Sequence, residues 1–244
     1  MITFHKAADD EPALHKSQMV EAFKKTCWYI EQHGSIPLTS TNRFDPAFMA
    51  WALTKVNWVE YFSAAALLKK SRPVQEHHFI ELYAWHRMLI ASGIAKHANK
   101  RLTLTSRGRR LMDHPGEIPP VMVPYYLSEP PWVGSRRSRV PFDFRNWDRF
   151  IPLLDGIPSS GTTVAAICET LFAEADLGTP DLWFELDFYS RVMMPLFWTG
   201  LFDAILPDRT DASGKVLYAK TPLWNAVIRV APGAEDRGGH RVLA

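Results

Sequence analysis

Arginine and lysine carry the most suggestive chemistry in this chain. Lys96, Lys100 and Arg101 stand beside a turn. Arg107, Arg109 and Arg110 follow within a few residues, and Arg136, Arg137 and Arg139 crowd a second basic stretch. Cations clustered on one surface neutralise phosphates and release counterions, which predicts nucleic-acid contact that weakens steeply with salt. The competing expectation is a solvated, solubilising face. Histidine offers less. His77 and Glu81 are four residues apart and could share a metal, but HExxH is absent and no Cys/His pair has zinc spacing. His86 falls on the apolar face of the same helix. Ser159-Ser160-Gly161-Thr162-Thr163 matches neither phosphate-loop pattern, and no GxSxG occurs. The sequence therefore predicts no cofactor, no metal and no catalytic residue, and an enzyme ranks third among the readings.

These cations sit on a recognisable frame. Phe79, Leu82, Tyr83, His86, Leu89 and Ile90 follow the spacing of one helical face. Gly93 stands where a helix ends in a left-handed residue. Ile94–Lys96, an Ala98-Asn99-Lys100 turn and alternating Leu102/Leu104 predict a hairpin. Thr105 or Ser106 then caps a short basic helix. The grammar returns from Asp181 to Ile228. Leu182, Leu186, Tyr189, Met193 and Leu196 give the helical face, and Gly200 occupies the place of Gly93. Thr221-Pro222 opens the last helix, and Pro195 should kink the one before it.

The expected fold is mostly α with short β-hairpins, an α+β class, as two winged-helix-like units. The first spans residues 15–112 and the second 143–230. A Pro-rich ordered linker covers 113–142, with too many prolines for long regular structure, and a flexible tail covers 231–244. Residues 1–14 read as loosely ordered. Helices are expected over 17–33, from Asp45-Pro46 through Leu53, over 59–68, and around Phe144–Leu154 and Val164–Leu171.

With 244 residues, 47% hydrophobic and 12% aromatic, the chain has ample material for a core. A net charge of +2 neither requires nor excludes a polyanionic partner. Cys27 and Cys168 lie on apolar helical faces and are expected as buried thiols. No run is apolar enough to span a membrane, and MITFHKAADDEP is no secretory signal. A cytoplasmic protein of bacterial type is expected.

The segments IPLTSTNRFDPAFMAWAL, RLTLTSRGRRLM and PLFWTGLFDAI…YAKTPLWNAVI together resemble a helical region of bacterial proteins related to the Ri-plasmid ORF-three-like family. The likeness runs over roughly residues 30 to 228, and the proline-rich middle departs from it. That family is largely uncharacterised, and the shared motifs are structural. The resemblance implies the fold and no activity.

Two partners follow from these readings. The first is DNA, held with low sequence specificity by Lys100, Arg101, Arg107, Arg109, Arg110, Arg136, Arg137 and Arg139. Asp181, Glu185 and Asp187 disfavour base reading by the second unit. The second is another protein or a second copy, docked on aromatics of that unit such as Trp183, Phe184, Phe188, Phe197 and Trp198.

Overall fold

A computed structural model describes residues 2–56, 76, 79–128, 143, 144, 146–206 and 215–230. The described chain is mostly helical with three small antiparallel sheets, an α+β arrangement. The first helix is Gln18–His33. Ser17 caps it and Gly34 ends it at φ 75°. A second helix, Pro46–Lys55, starts on Asp45, whose carboxylate accepts from the N–H groups of Ala47 and Phe48. The expected helix over 59–68 lies outside the described residues.

The helix Ile80–Ala91 leads into strands β3 (Ala95–Ala98) and β4 (Arg101–Leu104), which pair antiparallel. Strand β2 (Ile36–Pro37) joins the free side of β4, giving the order β2-β4-β3. Asn99 and Lys100 both take positive φ in the turn. The helix Ser106–Asp113 follows on the Thr105 cap.

The same hydrogen bonds recur further on. Ile94 N–H donates to Leu89 O, Thr105 N–H to Ile94 O, and the Thr105 hydroxyl to Gly93 O at 2.7 Å. In the second half Leu201 N–H donates to Leu196 O, Thr221 N–H to Leu201 O, and the Thr221 hydroxyl to Gly200 O at 2.6 Å. Gly93 and Gly200 take φ 70° and 80°. Helix end, hairpin (β5, Phe202–Ile205, with β6, Leu217–Lys220) and helix start (Pro222–Val227) are thus locked by one repeated device.

Three expectations are corrected. Residues 2–4 form strand β1, paired with β7 (Ile228–Val230). Ala7, Ala13 and Leu14 are buried, and the Asp9 carboxylate accepts from Gly116 N–H. The N-terminal segment therefore ties the two halves together. The proline-rich stretch holds the helix Ile118–Ser128. Its Pro119 and Pro120 fall in the first turn, where N–H groups lack intrahelical partners, so only Pro124 removes a bond. The expected core face of the helix after Asp181 is also rotated. Leu182 and Leu186 are exposed, while Phe184 and Phe188 are buried against Phe144, Phe150 and Phe172. Those rings remove more apolar surface than the leucines would. One turn of that helix, Tyr189–Met193, widens so that Met194 N–H donates to Tyr189 O, immediately before Pro195.

Both halves share one core. Trp198 packs on Trp85 and on Tyr126, with ring centroids at 5.6 and 4.7 Å. Ser17 reaches across, its hydroxyl donating to Thr199 O.

Candidate functional site: a buried carboxylate–histidine pair behind a cationic hairpin

The hairpin divides its side chains by strand alternation. Across β3 and β4, His97 pairs with Leu102 and Ala95 with Leu104, which puts these four on the face that packs inward. Lys96 and Arg101 fall on the opposite face, with Thr103 between them in the register. Lys100 is exposed at the turn. Its carbonyl accepts from Leu38 N–H, which docks the 38–44 loop onto the hairpin tip.

The inward face meets a polar chain. Glu76 reads from sequence as an exposed acid; it is instead 1% exposed. Its carboxylate accepts from Phe44 N–H at 2.5 Å and sits 3.0 and 3.1 Å from His86 Nδ1. His86 is also buried, stacked on the Phe44 ring at 4.1 Å. The Nε2 of His86 meets the Nε2 of the exposed His97 at 2.8 Å. Burial pulls His97 below the ordinary histidine range, the neighbouring His86 pulls the same way, and Glu76 opposes both.

Two arginines flank this chain. Arg43 lies 3.8 Å from the Glu76 carboxylate and 4.8 Å from the centre of the Tyr83 ring. Arg87 lies 5.9 Å from the same ring. Hydrogen bonds from Arg87 and then Arg43 hold the Tyr83 phenol below its usual value, against the opposing effect of burial. Tyr83, His86 and Arg87 share a helix face by their spacing of three and four.

The basic residues singled out in the sequence fare differently from one another. Lys96, Lys100, Arg101, Arg107 and Arg109 are exposed. Arg101 donates to the Ser35 hydroxyl at 2.7 Å, and no carboxylate among the described residues pairs with it. Arg107 donates to Ser92 O at 2.8 Å, tying down the end of the helix Ile80–Ala91. Removing it therefore costs stability as well as charge. Arg110 pairs with Glu117 at 2.7 Å and is neutralised there. Arg136, Arg137 and Arg139 lie outside the described residues, as does His77. Among the described residues no group of three or more His, Cys, Asp or Glu could hold a metal.

The expected aromatic patch is mostly core. Phe184, Phe188 and Trp198 are buried and Phe197 is half-buried, leaving Trp183 exposed beside Leu182 and Leu186. A groove of about 420 Å³ opens there, lined by Val164, Leu182, Leu186, Tyr189, Val216 and Tyr218. Among the described residues no helix is long and apolar enough to cross a membrane.

Residues 15–117 match the family model of the Y4jL N-terminal domain, and residues 135–222 match that of the Y4jL C-terminal domain. The chain is thus similar to Y4jL over both of its domains, in order. No curated protein and no solved structure matches.

Proposed function

We propose that this protein binds nucleic acid through the phosphate backbone, using the hairpin and following helix of its first half. One observation carries this reading. Lys96, Lys100, Arg101, Arg107 and Arg109 are each exposed and lie close in sequence on one hairpin and the helix after it, and no carboxylate among the described residues pairs with any of them. Unpaired cations at such density seek phosphate, with little base information in the contact. The winged-helix-like description of each half belongs to the same proposal. It is supported by the helix–hairpin–helix order and by the hydrogen bonds repeated at Gly93 and Gly200. Titrating the full chain into labelled duplex DNA and single-stranded RNA at low and moderate salt tests it. Binding that collapses with salt supports phosphate contact, and no binding at low salt rejects it.

The exposed row Leu182, Trp183 and Leu186, beside the apolar groove, favours a second reading. Here the second half docks a second copy of the chain, its acidic Glu185 and Asp187 facing the cationic hairpin. A strictly monomeric mass at high concentration rejects this alternative.

A further inference from the structure

We propose that His97 is the general base of an RNA-cleaving site, with Tyr83 as the proton donor and Glu76 and His86 as its positioning residues. The inference rests on the nucleic-acid reading above and adds a reaction to it. Its first support is the hydrogen-bond chain. A carboxylate only accepts, so Glu76 fixes the proton of His86 on Nδ1. The Nε2 of His86 then bears a lone pair and accepts from His97 Nε2–H at 2.8 Å. The lone pair of His97 is left on Nδ1, on an exposed residue of the edge strand, next to Lys96 in the chain. Three side chains from separate segments thus deliver one basic nitrogen, and the acid behind them stabilises the proton it takes.

The second support is the company it keeps. Burying a carboxylate and an imidazole in an otherwise apolar core is costly unless they pair well. Here they pair with each other, with Phe44 N–H and with an exposed imidazole, rather than with a surface cation alone. Tyr83 lies one turn before His86 on the same helix, between two guanidinium groups. Arg43 and Arg87 are cations of the kind that offsets charge building on a phosphorus centre.

RNA supplies the nucleophile, because each 2′-hydroxyl already lies beside its phosphodiester and needs only a base. His97 Nδ1 takes the 2′-hydroxyl proton. The 2′-oxygen bonds to phosphorus, and the bond from phosphorus to the 5′-oxygen breaks. The 5′-oxygen leaves with the electron pair and takes the phenolic proton of Tyr83. The products are a 2′,3′-cyclic phosphate and a free 5′-hydroxyl. The imidazolium returns its proton to the phenolate through solvent, restoring both groups.

The test incubates the full chain with a labelled single-stranded RNA and with its all-deoxy counterpart. The expected result is cleavage of RNA to cyclic-phosphate ends, with the deoxy strand bound and intact. His97→Gln, a change at an exposed position, should lower the rate roughly 100-fold or more while leaving RNA binding within about twofold. Glu76→Gln removes the charge that raises the basicity of His97, so the acidic limb of its pH–rate profile should move to lower pH. A purely structural Glu76 would not move that limb. RNA bound but uncut, or cut equally by His97→Gln, overturns the reaction and leaves binding standing. Failure to bind either strand overturns both readings.

Discussion

His86 and His97 meet nitrogen to nitrogen at 2.8 Å, joining the helix Ile80–Ala91 to the edge strand of the first hairpin. The contact gives the surface of the hairpin a titratable link to the buried Glu76. Because His97 titrates below the ordinary value, its charged form is disfavoured by the fold. The unfolded chain then binds more protons as pH drops below about 6.5, so this contribution to stability falls with pH across that window. Thermal melts from neutral to mildly acidic pH should show a smaller loss for His97→Gln than for the parent. Equal losses would remove the linkage.

Gly108 allows the helix Ser106–Asp113 to cross close to the start of the hairpin. A Cβ there would stand 2.3 Å from Ile94 O, a backbone atom that cannot swing aside. Gly108→Ala should cost on the order of 3 kcal/mol, read as a lower urea midpoint with an unchanged slope. A change near zero would mean that the crossing is looser than described.

Thr105 and Thr221 are expected to act alike. Each hydroxyl donates to the carbonyl of the glycine that ends the preceding helix. Thr105 also accepts from Gly108 N–H, whereas Thr221 makes no side-chain cap bond. Valine at either position should cost about 1–2 kcal/mol, with Thr105 the more costly. Denaturant titrations of the two single variants give the comparison directly.

Both thiols should be silent in the native state. Cys27 and Cys168 are buried, and burial pushes each thiol up to about 12. An aromatic disulfide reagent should label neither at neutral pH and both after denaturation. Fast labelling of a native thiol would contradict the packing.

Much of this was legible in the chain. Gly93 and Gly200, with threonine opening the next helix, announced the repeated device, because positive φ and capping are local needs that restrict residue choice. The rotated face at Leu182 and Leu186 was not legible. Helical spacing permits two apolar faces there, and only the cluster around Phe150 selects between them. The site was half legible. The cations of the hairpin stood out by composition, but Glu76 precedes the helix that carries His86 and His97 lies on a strand, so no single spacing links the three. The one available signal was alternation, which puts His97 on the inward face with Ala95 and so toward His86. The ordered N-terminus was hidden because its partner strand lies at the far end of the described chain.

The most direct measurement is the salt dependence of binding to a labelled nucleic acid, for the parent chain and for Lys100→Ala with Arg109→Ala. Both side chains are exposed and engage no carboxylate among the described residues, so the double variant keeps the fold. With about four phosphate contacts, affinity should fall roughly 100-fold as salt rises fourfold, and the variant should lower the log–log slope by about 2. Parent and variant binding with the same slope, or no binding by the parent at low salt, would contradict the account.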